Sequence, residues 1–599
     1  KGYRMKTPIF LFCTFFMISF IACSENYKMF DKPISSRVAN YSIECNFDPV
    51  NKLIIGTEFI TWTNKTNLPV KEMQFHLYMN AFSNENSTFL KELGESPKEL
   101  RGSWGYCKIN KLYLGENVDL TQNISFIQPD DDNKFDSTVV SLKLPDEIQP
   151  NESIELTIEF TTKLPPLIER SGYIGSFHMA SQWFPKVGVY SDLGWNCHQY
   201  HSNSEFFADF GIYDVTIIIP DEFMVGATGI LIDEVQMAGN RKRLHYYAED
   251  VHDFAWGADS NFVEINDHSG KTEIRLLAQK EHTGEVVNRI LHATKSSHQY
   301  FTKRYGQYPY PQITILDSPV FNAVMEYPTL FLTGNFDGYD NPPAPVEPQL
   351  VENLFMERLT MHEFGHQWFY GMCANNEFEE AWLDEGLTEY ITAKAFEAEY
   401  GKIMQNDEFG KPLPVRDFRK QMYIENYTNL PILNYSWHYP TFSEYYVGSY
   451  VKPKLLFYTL DNYFGEAVME EIIYLFFQRW QFNHPKTQDF VDIITEIAGE
   501  EIHTIIQQYL ETSDFLDYKI ESVYQNRVKV SRIGQQIFPV NIEFTFKGNK
   551  KISKQWKAEE SEITYEFNKE PHLTRVCIDP EQMIEFELNT QNNCWNFDN

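Results

Sequence analysis

His362 and His366 stand four residues apart in His362-Glu363-Phe364-Gly365-His366, and Glu385 follows 19 residues later inside Trp382-Leu383-Asp384-Glu385-Gly386. Four helical steps of about 100° return to within about 40° of the start, so two imidazoles at this spacing leave one face of a helix and can grip one ion. A hydrolytic zinc needs three protein ligands and one open position for water, and a glutamate from a neighbouring helix completes a His2Glu set without closing it. Glu363, next to the first ligand, is then free to act as a base. The residues therefore call for one Zn2+ held by His362, His366 and Glu385. The competing reading is a hydrogen-bonded histidine pair with a purely structural role.

Such chemistry needs a helix under the histidines. The stretch Pro348 to Phe355 is helix-forming after a proline start, and Gly371 is placed to end that helix. Around it the pattern changes twice. From about Ser24 to Asp267, short alternating runs such as Lys52 to Thr63, Ser153 to Thr161 and Tyr213 to Pro220 predict an antiparallel β domain. Near Glu281 the period becomes helical, with Val286, Val287, Ile290, Leu291 and Thr294 on one face, Gly306 as a stop and a strand at Gln312 to Leu316. Helices dominate to about Ser513, with long runs at Tyr390 to Tyr400, Lys452 to Phe464 and Gln488 to Thr512. Alternation then returns in Val528 to Ile533, Val540 to Phe546 and Met583 to Leu588. The expected organisation is a multidomain α+β chain: an N-terminal β-sandwich domain (24–267), a mixed and then helical catalytic domain (268–514), and a small C-terminal β domain (515–599).

At 599 residues with 43% hydrophobic and 16% aromatic content, the chain has ample material for several packed cores. A net charge of −33 opposes nucleic acid as a partner and opposes electrostatic attachment to anionic lipid. The start reads as an export signal. Lys1, Arg4 and Lys6 precede an apolar stretch from Pro8 to Ala22 that is short for a membrane span, with Met5 a plausible initiator. Phe20-Ile21-Ala22-Cys23-Ser24 resembles a bacterial lipoprotein cleavage box, with Phe20 where Leu is commoner, so residues 1–23 are expected to be a leader and Cys23 the lipidated residue. That implies a membrane tether through Cys23 in the cell envelope, periplasm or outer membrane; ordinary secretion and an uncleaved anchor are the alternatives. The eight cysteines are too irregularly spaced for a disulfide framework or a second metal site, and one bridge, Cys577 with Cys594, is permitted without being dictated. Asp130-Asp131-Asp132 reads as a solvated loop.

Taken together, the region from Phe321 to Lys454 resembles the aminopeptidase N family of zinc exopeptidases, which also includes leukotriene hydrolase. The first match is the His362/His366/Glu385 set in its Trp-Leu-Asp-Glu-Gly-Leu-Thr context. The second is Ala323-Val324-Met325-Glu326-Tyr327, similar to the family's Gly-Ala-Met-Glu-Asn strand with the Gly and Asn replaced. The third is Tyr450-Val451-Lys452, 65 residues after Glu385. The resemblance implies a thermolysin-like catalytic fold and peptides with a free N-terminus as substrates. It implies Glu326, with Met325 and Ala323 beside it, as substrate-binding, and Tyr450 as a catalytic donor, with Tyr445 and Tyr446 as close competitors.

The jobs are physically distinct. Zinc brings the pKa of a bound water from 15.7 toward about 7, Glu363 takes the proton, and Tyr450 steadies charge on the carbonyl oxygen. An α-amine with a pKa near about 7.8 is largely protonated at pH 7, so Glu326 pairs with it and confines cleavage to N-termini. Glu389, a turn beyond Glu385, is a candidate to orient a ligand histidine. Gln182, just before Phe184-Pro185, is a candidate for the second amine-binding residue that the family draws from its N-terminal domain. Only about 85 β-patterned residues follow the catalytic region, where larger relatives carry a helical domain, so the site is expected to be more open. The nearest rival is a thermolysin-like endopeptidase; a rival of another class is a surface peptide-binding lipoprotein with a degenerate site.

Overall fold

The computed structural model describes residues 27–94, 97–115, 117–282, 284–320, 323–334, 354–401, 404–406, 412–414, 420, 423–425 and 429–597. The leader with Cys23 and the proline start at Pro348 lie outside the described residues. No helix among the described residues is long and apolar enough to cross a membrane.

The alternating runs become strands for the reason alternation predicts. In Leu53–Thr63, Ile54, Ile60 and Trp62 face the core while Ile55 and Phe59 face out. This strand pairs antiparallel with Ala39–Asp48, which also pairs parallel with Gly211–Pro220, at the centre of an eight-stranded sheet. Two four-stranded sheets, one through Phe177–Ala180 and Trp256–Asp259 and the other through Val70–His76 and Val139–Ile148, and a two-stranded sheet of Val189–Ser191 and Gly194–Asn196 join it in the N-terminal β domain.

The catalytic sheet runs in the order Phe262–Ser269, Thr272–Gln279, Gln312–Leu316, Leu330–Thr333, Val324–Met325. Its first two strands form a hairpin, and the second continues into a parallel pair with Gln312–Leu316. The expected boundary at residues 267/268 thus falls inside a strand of this sheet, because a hairpin keeps period-two alternation whichever domain owns it. The strand Val324–Met325 forms the sheet's edge, antiparallel to Leu330–Thr333.

Helix Glu285–Arg304 buries Val287, Ile290, Leu291, Thr294 and Phe301 on one stripe and packs against the motif helix Phe355–Gly365, which in turn contacts Trp382–Tyr400. The motif helix ends at Gly365, not at Gly371: His366 is already its capping residue, and the chain turns through His366–Gly371 by a hydrogen bond from Gly371 N to His366 O. Gln488 to Thr512, expected as one run, is two helices, Thr487–Ala498 and Glu500–Glu511, broken at Gly499 with φ of 94°.

A three-stranded and a four-stranded sheet make the C-terminal β module, and Cys577 and Cys594 form a disulfide between neighbouring strands. Met583 to Leu588, expected as a strand, is a turn. Ile584 and Phe586 are both buried, which produced the alternation, but the backbone N–H groups of Met583 and Ile584 are satisfied by the Asp579 carboxylate instead of a neighbouring strand. The same turn docks the module on the catalytic domain, through Phe586 against Tyr509 and Glu585 N donating to Thr459 Oγ1.

Candidate active site

The motif helix and the Trp382–Tyr400 helix bring three ligand atoms into one small triangle. His362 Nε2 and His366 Nε2 lie 3.1 Å apart, and Glu385 Oε2 lies 3.3 Å from the first and 3.2 Å from the second. Tetrahedral zinc ligands at about 2.0–2.1 Å from the metal are separated by roughly 3.3–3.4 Å, so the residues present fit the ion their types call for. Buried, with no hydrogen-bond partner, Glu385 Oε2 fits the same assignment. Beyond the triangle, His366 Nδ1 faces the Phe369 carbonyl at 3.1 Å, which makes it the protonated nitrogen and leaves the Nε2 lone pair for a metal. His362 Nδ1 faces Glu389 Oε1 at 3.5 Å, and Glu389 is held by Arg358 at 2.6 Å and Lys454 at 2.8 Å. Glu389 thus stands behind a ligand histidine, as its spacing from Glu385 implies.

Burial raises Glu385, yet His366 and His362 overcome that and hold its pKa at about 2, so it is a carboxylate at any working pH. Burial opposes a charge on His366, and Glu326 and Glu385 nonetheless hold its pKa well above the usual value. The cluster therefore demands positive charge, which is what a divalent cation supplies.

Glu363 points into the same cavity of about 190 Å³, together with Glu326, Arg170, Val324, Phe355, Leu359, Tyr446 and Tyr450. Burial, then the Glu326 carboxylate, push Glu363 well above the ordinary carboxylate range, the direction that makes a carboxylate a stronger base. Its Oε2 is buried without a hydrogen-bond partner. Glu326 follows the edge strand, and a ligand-type oxygen of its carboxylate lies within 4.8 Å of a His366 ring nitrogen. Met325 and Ala323 do not reach the cavity with their side chains: both are fully buried, and Val324 between them lines it. Alternation along a strand explains this, since neighbours of a residue facing the site face away.

Tyr450 sits in a π-helical turn, Val447–Val451, just before the Lys452–Phe464 helix. Its hydroxyl donates to Glu385 Oε1, while burial and Glu385 raise its pKa well above the usual tyrosine value, so it remains a donor. Tyr446 stacks on it, ring centroids 4.8 Å apart, and Tyr445 is buried against Tyr439. Close approach of the two helices depends on Gly386, where an added Cβ would lie 2.3 Å from Pro453 Cβ.

Gln182 does not belong to this site. Its amide donates to Asp253 at 2.5 Å and accepts from Lys186 at 2.7 Å, within a buried ion pair of the β domain. The Phe-Pro step that singled it out lies in that core, away from the cavity. The N-terminal domain instead contributes Arg170 and Glu205, which form a two-pronged ion pair at 2.5 and 2.6 Å. Gln367 is another residue sequence reasoning missed: it accepts from Thr329 N and donates to Tyr327 O, clamping the turn after Glu326 to the turn that follows the motif helix. Its position beside His366 was the only available signal. Cys45, Cys107, Cys197 and Cys373 are free and buried.

This arrangement defines a zinc-peptidase site of the His-Glu-x-x-His-plus-Glu class. Residues 289–509 match the model of the peptidase family M1 domain. Aminopeptidase 2 of Candida albicans is 21% identical over 335 residues, 53% of this chain and 34% of that protein. The puromycin-sensitive aminopeptidase of Caenorhabditis elegans is 21% identical over 454 residues, 70% of this chain and 45% of that protein. The chain thus spans less than half the length of either curated relative. Among solved structures, aminopeptidase A of Legionella pneumophila in complex with aspartic acid superposes with a TM-score of 0.65 at 13% identity, covering 96% of this chain and 61% of that one. The M1 zinc metallopeptidase of Deinococcus radiodurans gives 0.54 at 12% identity, covering 80% and 95%. Over residues 289–509 the chain is similar to the M1 peptidase domain, and its fold is that of the M1 structures it superposes on.

Proposed function

We propose that the protein is a zinc aminopeptidase that removes residues from the free N-termini of peptides. The observation that carries this reading is the presence, in one cavity, of the ligand triangle, the base Glu363 and the ammonium-pairing Glu326. Zinc, when bound, supplies Lewis acidity and brings the pKa of a bound water toward neutrality. Glu363, desolvated and basic, accepts a proton from water and passes it to the departing amine. The Tyr450 hydroxyl turns from Glu385 to donate to the oxygen on which negative charge develops. Glu326 binds the terminal ammonium, and a chain without one leaves this carboxylate buried and unpaired, at a cost of several kcal/mol.

Hydrolysis of aminoacyl-arylamides is expected to vanish with a chelator and return with zinc, and an N-acetylated peptide to resist cleavage that its free-amine counterpart undergoes. Full activity after metal removal, or equal cleavage of the blocked peptide, would sink the reading. The second outcome would favour the endopeptidase.

The export signal and the Cys23 box support a further part of the proposal, that the protein is lipid-anchored in the cell envelope of a bacterium. The Cys577–Cys594 disulfide supports export, since such bonds persist in oxidising compartments. Cys23→Ser is expected to release the protein from the membrane fraction; unchanged fractionation would count against the anchor.

A further inference from the structure

Glu326 follows a strand of two residues, Val324–Met325, at the edge of the catalytic sheet. One side of this strand pairs with Leu330–Thr333; a strand so short, paired on one side, is weakly fixed. Besides the burial of Ala323 and Met325, two polar contacts among the described residues brace it. From behind, Gln367 clamps the turn Tyr327–Thr329. From the cavity side, Arg170 Nε donates to the Val324 carbonyl at 3.2 Å, across 154 residues of sequence. The same guanidinium gives its other two nitrogens to the two oxygens of Glu205. Arg170 is itself braced, its carbonyl accepting from Ser181 Oγ at 2.9 Å, and the segment after Glu205 is tied to the catalytic domain by Phe206 N donating to Glu377.

We propose that Arg170 is the positioning residue of the amine site: a strut from Glu205 to the Val324 carbonyl that fixes the edge strand, and with it the Glu326 carboxylate, at the distance from the metal where a substrate ammonium must sit. The inference rests on the aminopeptidase reading. A guanidinium suits the task because its planar fork holds a carboxylate with two donors while Nε serves a third acceptor; a lysine ammonium supplies the charge without that rigid geometry. Arg170 also places a cation among Glu205, Glu326, Glu363 and Glu385, so the carboxylates that must crowd this cavity do not force the edge strand outward. Displacing a binding group by about 1 Å costs on the order of 100-fold in such sites.

The test is amine selectivity in the zinc-loaded enzyme, measured as the ratio of inhibition constants for a desamino amide and the matching amino-acid amide, alongside kcat and KM for an aminoacyl-arylamide. Arg170→Lys is expected to cut this selectivity about 10- to 100-fold and to raise KM more than it lowers kcat, with zinc content unchanged. Glu205→Gln, which is nearly isosteric, is expected to produce the same loss, and the double variant to be no worse than the poorer single one. Wild-type selectivity in a folded Arg170→Lys or Glu205→Gln enzyme would overturn the proposal. So would an equal weakening of both inhibitors, the mark of a merely structural role. If the wild-type enzyme itself ignores the amine, it is the aminopeptidase reading that fails.

Discussion

At Glu363 and Tyr450 the two halves of the proposed chemistry can be separated. Glu363 touches no ligand atom of the triangle, so Glu363→Gln is expected to lower kcat by roughly 10²–10⁴ while leaving bound zinc at one per chain. A parallel loss of zinc, read by mass spectrometry, would assign it a structural role instead. Tyr450 has two partners in prospect, the Glu385 carboxylate it now meets and the oxygen that becomes negative during reaction. Tyr450→Phe should therefore cost about 10²–10³ in kcat and also about tenfold in zinc affinity, measured by chelator competition. An unchanged kcat would remove it from the machinery. Of these residues, His362, His366 and Glu363 were legible because their geometry is written into helical spacing over five positions, and Glu385 because of the motif around it. Glu205, Arg170 and Gln367 were not, since what makes them functional is contact across 35 to 154 residues of sequence. Gln182 misled because its only credential was proximity to Phe184-Pro185, whereas a buried Lys186–Asp253 pair had already claimed its amide.

At the scale of elements, the site depends on two helices meeting at Gly386 and Pro453 and on the π-helical turn that presents Tyr450. A wider residue at 386 cannot fit: its Cβ would meet Pro453 at 2.3 Å and the Ser449 carbonyl at 3.3 Å. Gly386→Val is expected to part the Glu385 and Tyr450 helices, destabilise the fold by about 1–3 kcal/mol through overpacking, and lower zinc affinity together with activity. Denaturant unfolding and zinc titration check this, and wild-type values in both would contradict it. The elements themselves were largely legible, because strands such as Leu53–Thr63 and helices such as Glu285–Arg304 bury one face at the period the sequence shows. The failures share a cause. In Met583–Leu588 and in the run broken at Gly499, apolar periodicity reported which side chains were buried and was silent on where the backbone hydrogen bonds went.

Across the whole molecule, a chain of imidazoles and carboxylates joins the N-terminal domain to the catalytic one. Asp130, read from sequence as part of a solvated acidic loop, instead lies between His198 at 2.7 Å and His201 at 3.3 Å; His198 reaches Glu379 at 3.0 Å and His201 reaches Glu92 at 2.7 Å. Trp437 stacks on His201 with ring centroids 4.5 Å apart. Burial disfavours the charge on His201, yet the hydrogen bonds it donates to Asp130 and Glu92 raise its pKa to about 9, and His198 is raised for the same kind of reason. A histidine whose folded pKa exceeds its unfolded value stabilises the fold fully below about pH 6.5, and that contribution fades as pH rises through about 9. Stability should thus fall by up to about 3 kcal/mol between pH 6.5 and 9.5 on account of His201. In His201→Gln the drop over this window, followed by urea unfolding, should be smaller by that amount; an identical drop would show the network to be uncharged.

The proposed chemistry depends on one divalent cation held jointly by His362, His366 and Glu385. Anomalous diffraction at the zinc edge from crystals of the purified protein reads this directly. The expected result is a single strong peak within about 2.0–2.2 Å of both Nε2 atoms and of the Glu385 carboxylate. A protein that crystallises in this fold with no peak there, or with its peak elsewhere, would contradict it.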